Sequence, residues 1–315
     1  MKNIYSNIYS LNKKTLKQTI KSLKKGNIAG LPTETVYGLA GNAYSKKAVI
    51  KIFKLKNRPK NNPLIIHYLK LSKINKDVEV NKNFFKLYNK FCPGPLTFVL
   101  KKRKKSKIVS LASAKLDTIA IRFPKHKLIR SILKLTDFPL AMPSANLSSG
   151  LSPVNAYDVF EEFGKKIKTI INGGSSKIGI ESTVVSLIGK PKVLRPGIIS
   201  AKEIKKVLKT KLGKKMNKIR SPGMFKKHYS PGIPVVIGQK PINSKYAYIV
   251  FGKKNKEYKN YFNLSKKGDL NEAAANLYKT MRKIKKKGFK KIFVSKIPNR
   301  GPGLAINDRL KRASN

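Results

Sequence analysis

Short apolar runs of β-type residues alternate with amphipathic helical stretches along this chain, and the alternation lapses once, at residues 208–233. A chain patterned this way builds sheets covered by helices, and a single lapse divides it into two such units. In the first unit, TLKQTIKSLKKGNIAGLP reads as an amphipathic helix closed by Gly26, then a strand ending at Pro32. SKKAVIKIFKLKNRP reads as a second helix, with Ser45 as N-cap, Val49, Ile52, Phe53 and Lys56 on one face, and Pro59 as the stop. PLIIHY, LTFVLKK, TIAIRFP and PLAMPSAN read as strands, with a helix near 126–135 among them. A helix at 155–163 precedes three further strands, in KTIING, STVVSLIG and KVLRPG.

The predicted organisation is an α/β domain over 12–207, a flexible linker over 208–233 and a smaller α/β domain over 234–315. The linker, LKTKLGKKMNKIRSPGMFKKHYSPGI, is dominated by Gly, Pro and Lys and has no hydrophobic period. Beyond it, PVVIG, YAYIVFG and KIFVS read as strands. DLNEAAANLYKTMRKIKKKG reads as a helix, with a capping box from Asp269 and Glu272, a face of Leu270, Leu277, Met281 and Ile284, and Gly288 at its end.

Composition narrows the classes. A hydrophobic content of 40% suffices for packed cores. One cysteine, Cys92, permits neither an internal disulfide nor a cysteine-rich zinc cluster. No apolar run reaches the ~20 residues of a membrane-spanning helix, and MKNIYSNIYSLNKK lacks a signal-peptide core. The expectation is a reduced, cytoplasmic compartment and no membrane. A net charge of +57 points towards nucleic acid, yet lysine is spread along the whole chain, as compositional drift would spread it. Non-specific RNA affinity at low salt follows in either case.

Several chemistries are absent. There is no G-x-x-x-x-G-K-[ST] loop and no G-x-S-x-G elbow, and His67, His126 and His228 show no metal-ligand spacing. GPGLAI lacks the context of a dinucleotide fingerprint. What remains is a set of strand ends bearing small polar groups and arginines. Only ten of the 71 basic residues are arginine, so Arg58, Arg122 and Arg195 stand out. A guanidinium presents a planar fork to phosphate or carboxylate, which a lysine point charge cannot. Arg122 and Arg195 sit in or just after β-type runs, where a buried cation needs an anionic partner. With only 14 carboxylates in the chain, an anionic ligand is the economical partner. Thr33 and Thr35 in GLPTETVYGLAGNA, the Ser/Asn/Gly run in AMPSANLSSGLSP, and Glu181, Ser182 and Thr183 lie where open α/β sheets place ligands. Thr33 and Thr35 are equally able to serve their own backbone turn, and the Ser/Asn/Gly run reads as readily as a flexible surface loop.

GLPTETVYGLAGNA, KLKNRPKNNPLIIH, PGPLTFVL, TIAIRFP, MPSANLSSG, GIESTVVSL and VLRPG occur in this order. Together they resemble the YrdC-type domain of L-threonylcarbamoyl-AMP synthases. The SPGM…HYSP stretch and the terminal GPGLAINDRLKRAS resemble the longer, two-domain form, so the likeness spans about 12 to 315. The resemblance implies a YrdC-like twisted mixed sheet, a linker and a Rossmann-like C-terminal domain. It implies that ATP, L-threonine and bicarbonate become threonylcarbamoyl-AMP and pyrophosphate, with Mg2+ on the ATP. The product would pass to a downstream tRNA threonylcarbamoyl-transferase complex acting on tRNAs that read codons beginning with adenine. The family's K-x-R…S-x-N constellation falls on Lys56, Arg58, Ser144 and Asn146, with Lys56 adding neutralising charge. By the same resemblance the threonine side comprises Thr35, His67, Arg122, the Met142 backbone and Ser182. The ATP side comprises Arg58, Asn62, Thr118, Ser144, Ser152 and Arg195, with Tyr229 reaching in from the linker as part of a lid. The chain departs from the family pattern at Phe225 and Lys226, whose order is reversed.

Two other readings compete. The YrdC-like module of hydrogenase-maturation carbamoyltransferases comes with acylphosphatase and zinc-finger segments that this chain lacks. A basic protein of tRNA or ribosome maturation, binding RNA directly without this activity, calls for aromatic rings interleaved with the basic residues, and none occurs at 54–62 or 141–153.

Overall fold

The computed structural model describes residues 5–213, 228–253 and 258–314. Ten strands belong to a first sheet: β1 (Ile8–Ser10), β2 (Ala29–Leu31), β3 (Gly38–Asn42), β4 (Ile65–His67), β5 (Leu96–Lys101), β6 (Thr118–Arg122), β7 (Leu140–Ala141), β8 (Ile170–Asn172), β9 (Thr183–Ser186) and β10 (Lys192–Arg195). The helices among them are α1 (Lys13–Lys24), α2 (Lys46–Lys56), α3 (Lys82–Phe91), α4 (Lys127–Leu135), α5 (Ala156–Phe163) and α6 (Ala201–Leu208). The sheet is mixed, in the order β1-β8-β2-β3-β7-β4-β6-β5-β9-β10.

Its register aligns residues that are far apart in the chain. His67 pairs with Arg122, Arg122 with Thr97, Thr97 with Val184 and Val184 with Arg195. Direct partners point to the same face of a sheet, so these distant residues fall into one transverse row. The alternate residues Ile66, Ile121, Phe98 and Val185 point to the opposite face and join a core cluster with Val49, Ile52, Phe84 and Ile204 of α2, α3 and α6.

The second sheet consists of β11 (Val235–Ile237), β12 (Ala247–Val250), β13 (Tyr261–Asn263) and β14 (Ile292–Val294), all parallel, in the order β11-β14-β12-β13. Helices α7 (Leu270–Lys286) and α8 (Pro302–Ala313) complete this unit. One hydrophobic cluster joins it to the first: Val36, Leu151, Val154 and Ile180 pack with Leu277, Tyr278, Ile306 and Leu310. Contact is close enough at Gly179 that a Cβ there would lie 2.5 Å from Ala275 Cα on α7.

Several sequence expectations are corrected in detail. Helix α2 ends at Lys56 because Asn57 adopts the left-handed conformation (φ 49°) as C-cap, before Pro59 is reached. The α7 cap is not a reciprocal box. Asp269 accepts from the Asn271 and Glu272 amides, but the Glu272 carboxylate takes the Ser265 hydroxyl at 2.5 Å, and that hydroxyl accepts the Asp269 amide. Helices α3, α6 and α8 and strands β1, β3 and β13 add to the expected set. Of the expected linker, Leu208 closes α6, and 214–227, with Phe225 and Lys226, lie outside the described residues. Residues 228–230 are packed between the units: the His228 amide donates to Arg312 O and the Ser230 amide to Ser149 O.

Gly179 has φ +75°, so Gly179→Ala meets both a left-handed backbone and the α7 contact. The expected cost is about 2–4 kcal/mol of stability, combining backbone strain with overpacking, read from urea unfolding of the two proteins.

Candidate functional site

The carboxyl ends of β4 and β6, the amino end of β9 and the end of β10 meet at one margin of the first sheet. The turns after β2 and β7 and the end of α2 close around it, forming a cavity of about 550 Å³, part of it open to solvent. Thr33, Thr35, Arg58, His67, Arg122, Met142, Ser144, Glu181, Ser182, Arg195, His228 and Tyr229 are among its lining. A smaller cleft shares Arg58, Ser144 and His228 with it and adds Lys56, Asn62 and Asn146.

Of the three arginines in this cavity, Arg122 is ion-paired with a carboxylate, whereas Arg58 and Arg195 make no ion pair among the described residues. Arg122 Nη2 lies 2.6 Å from Glu34 Oε1, and its Nη1 donates to the Thr35 hydroxyl at 2.8 Å. Glu34 Oε2 also accepts the Lys125 and His126 amides. Burial works to raise the Glu34 carboxyl, and Arg122 with these bonds overcomes it and holds the group below its ordinary range. The expectation that carboxylates are too few to pair Arg122 internally is therefore corrected: Glu34 pairs it. Arg58 instead donates to neutral oxygens, Asn62 O and Oδ1 and Pro63 O, at 2.7–2.9 Å. Arg195 donates to Ser182 O and Oγ at 3.0–3.2 Å. Burial first, and repulsion from Arg195 second, push Arg58 down to about 9, which leaves it charged at neutral pH. Two neighbouring guanidiniums, Arg195 buried and Arg58 half-buried, neither with an ion-paired carboxylate among the described residues, make a site for an anion.

Lys56 is not a charge facing the main cavity. It is 1% exposed, and its ammonium donates to Ser144 O at 2.7 Å and to Asn146 O. The Ser148 amide returns a bond to Lys56 O, so the end of α2 and the 144–148 loop are tied together. Burial, with Arg58 next, drives the Lys56 pKa well down. Asn146 donates to Leu147 O and Gly150 O, while its buried Oδ1 has no partner among the described residues. The Met142 amide donates to Ile65 O at 2.9 Å, which removes it from the groups open to a ligand.

Two expected ligand residues stand off the cavity lining. Thr118 begins β6, opposite Lys101 on β5, and lines neither cleft. The Ser152 hydroxyl, fully buried, donates to Glu181 Oε1 at 2.5 Å. Sequence reasoning missed Glu34, Tyr278 and Arg309, and named Glu181 without a partner. Glu34 lies inside the PTET motif and Arg309 inside the terminal NDR, so both were in view. What was missing was the pairing across 88 and 128 residues.

No histidine or carboxylate lining the main cavity among the described residues is poised to exchange a proton near neutral pH. Burial, reinforced by Arg122, lowers His67 to about 3. Burial lowers His228 to about 3 as well, opposed by Glu181 and reinforced by Arg58, Lys56 and Arg195. Both imidazoles are neutral at pH 7, and the carboxylates are ionised. The site is suited to positioning and charge neutralisation.

Inorganic pyrophosphate at a hundredfold excess over its Kd should raise stability by about 2.7 kcal/mol, seen as an upward shift in melting temperature. Arg58→Ala should abolish most of that shift. Because His67 is held below its ordinary 6.5, the unfolded chain binds a proton that the folded chain does not. Its contribution is complete above pH 6.5 and is lost on acidification, by up to about 1.4 kcal/mol per pH unit. Urea unfolding at pH 7.5 and 5.5 checks this, and His67→Gln should remove its share of the slope while that of His228 remains.

Comparison with known proteins agrees with this geometry. The Sua5/YciO/YrdC family model, described as "Telomere recombination", matches residues 21–197. A second, "Threonylcarbamoyl-AMP synthase, C-terminal domain", matches residues 199–315. The threonylcarbamoyl-AMP synthase of Pyrococcus abyssi is 36% identical, covering 93% of this chain and 92% of its own. That of Bacillus subtilis is 32% identical over 97% of this chain and 94% of its own. The crystal structure of P. abyssi Sua5 complexed with L-threonine superposes with a TM-score of 0.88 at 33% identity, covering 98% of this chain and 96% of that one. The chain belongs to the Sua5/YciO/YrdC family, in the two-domain form that carries the threonylcarbamoyl-AMP synthase C-terminal domain.

Proposed function

We propose that this chain condenses L-threonine, bicarbonate or carbon dioxide, and ATP into threonylcarbamoyl-AMP and pyrophosphate. The observation that carries this reading is the pair Arg58 and Arg195, two cations with no ion-paired carboxylate among the described residues, facing a pocket that also holds Arg122, Thr35, His67 and Ser182. The first pair suits the phosphates of a nucleotide. The second group suits a small amino acid: Arg122, preoriented by Glu34, for the carboxylate, and hydroxyls with a neutral imidazole for the amine and side chain.

The chemistry needs no protein nucleophile. The neutral threonine amine adds to carbon dioxide and loses a proton, or adds to bicarbonate and loses water, giving a carbamate. A carbamate oxygen then attacks the α-phosphorus of ATP, and the bond to the β-phosphate oxygen breaks to release pyrophosphate. Placing the two reactants and neutralising phosphate charge supply most of the acceleration in such transfers. Lys56 acts at one remove, by fixing the carbonyls of Ser144 and Asn146 beside Arg58. Asn62 fixes the Arg58 fork.

Magnesium enters this reading on the triphosphate, where it neutralises the leaving pyrophosphate. Among the described residues no cluster of three or more His, Cys, Asp or Glu gathers, and Glu181 in the cavity is engaged by Arg309, Tyr278 and Ser152. The donor set fits an ion held mainly by phosphate oxygens and water. The product is a reactive mixed anhydride, consistent with transfer to tRNA by a downstream threonylcarbamoyl-transferase complex. No helix among the described residues is long and apolar enough to cross a membrane, and a cytoplasmic site of action accords with that use. Domain limits of 12–207 and 234–315, with 208–233 between them as a lid, belong to the same reading.

Incubation with ATP, L-threonine, bicarbonate and magnesium should yield threonylcarbamoyl-AMP by mass detection, dependent on threonine. Arg58→Ala should lower kcat/KM about a hundredfold or more, and Arg58→Lys should recover only part of it. An inactive, well-folded wild type that binds tRNA would favour the RNA-binding alternative instead.

A further inference from the structure

Among the described residues the second unit carries no group that lines the cavity beyond the His228–Tyr229 segment, yet one of its side chains holds two stretches that do. Arg309, on α8, is 1% exposed. Its Nε donates to Glu181 Oε2 at 3.1 Å, and its Nη2 lies 3.1 Å from the same oxygen. Its Nη1 donates to Pro196 O at 2.5 Å and to Asp308 Oδ2 at 3.2 Å. Glu181 precedes Ser182, and Pro196 follows Arg195. One guanidinium therefore spans the chain neighbours of two groups on the anion-facing wall, and those groups are bonded to each other through Ser182 O and Oγ and Arg195.

The surroundings allow little slack. A Cβ on Gly197 would collide with the Thr183 amide nitrogen, so the 195–197 turn already touches the start of β9. Glu181 also accepts the Tyr278 hydroxyl of α7 and the Ser152 hydroxyl. The Arg309 guanidinium lies 5.3 Å from the centre of the Tyr229 ring, which stacks on Tyr278 at 5.9 Å. Tyr229 itself sits at φ +64°, an unfavourable conformation that its neighbours must impose.

We propose that Arg309 is a positioning residue for the adenylating site, by which the second unit sets the geometry of the Ser182–Arg195 wall and the seat of Tyr229. The inference rests on the activity proposed above. Burial alone would raise the Glu181 carboxyl, and Arg309, then Arg195, hold it at about 2, so Arg309 is the main support of the buried carboxylate. A lysine in its place keeps the charge but cannot reach Glu181 and Pro196 with separate nitrogens of one planar fork.

The test uses the full-length chain with Arg309→Met, Arg309→Lys and the milder Tyr278→Phe, each checked for cooperative thermal unfolding. Steady-state kinetics are read together with the ratio of pyrophosphate released to threonylcarbamoyl-AMP recovered. The expected result is a KM for ATP raised at least tenfold in Arg309→Met, with the ratio climbing above that of the wild type as misplaced adenylate is lost to water. Arg309→Lys should be intermediate, and Tyr278→Phe should shift the same way by a smaller factor. A merely structural role lowers kcat through loss of active protein and leaves KM and the ratio unchanged, which would overturn the inference. Should Arg309→Met not fold, Arg309→Lys and Tyr278→Phe decide by the same two readouts. Should the wild type form no adenylate, the activity reading fails separately. Calorimetric titration with ATP then decides: at least tenfold weaker binding in the Arg309 variants keeps the inference, and equal binding or none in the wild type overturns it.

Discussion

Charge balance in a secluded space governs this molecule. Lys56, Arg122, Arg195 and Arg309 are withdrawn from bulk water at one margin of the larger sheet or behind it, Arg58 is half-buried beside them, and Glu34 and Glu181 are the buried carboxylates paired there. Removing one partner of such a pair costs about 3–5 kcal/mol, because the other is left uncompensated. The carboxylates therefore have assigned partners, Arg122 and Arg309, and Lys56 is satisfied by carbonyls. Arg195 feels Glu181 only as the second support of a carboxylate that Arg309 holds directly. Arg58 has no ion-paired carboxylate among the described residues, so these two cations are the ones left to meet an anion from outside. In a chain of net charge +57, specificity for an anion thus comes from where carboxylates are withheld.

The same distribution explains why the second unit is more than an appendage. Its α7 and α8 meet the first unit over a shared apolar cluster, over the bare backbone of Gly179, and over Glu181. These contacts converge on the strand and turn that carry Ser182 and Arg195. Structural coupling between the units therefore runs into the catalytic wall itself, through a few short bonds.

Chemistry at the site depends on neutrality as much as on charge. Burial keeps His67 and His228 unprotonated at neutral pH, so neither adds positive charge beside Arg58 and Arg122. A neutral imidazole can offer a hydrogen bond without competing for phosphate or carboxylate. This suits a reaction in which an amine must remain unprotonated long enough to capture carbon dioxide.

Much of the architecture was legible in the chain itself. The apolar periods of α1, α2, α4, α5 and α7 and the β-type runs fix element type locally, and the lapse after residue 207 marks the division into two units. Helix α8 was not legible, because GPG reads as a loop and its buried face includes Arg309 and Arg312 where a periodic helix would show apolar residues. Strand β3, GLAGN, carries too little side chain to announce itself. Of the site, the residue types were readable: scarce arginines at strand ends, hydroxyls in turns, Glu181 before a strand. Their allegiance was not. Which cation owns which carboxylate is set by register, which places His67, Arg122, Thr97 and Arg195 in one row, and by packing between units, which delivers Arg309 to Glu181 from 128 residues away. Local propensity determines what a segment becomes, whereas ion pairing is a property of distances that exist only once the sheet has closed and the two units have docked.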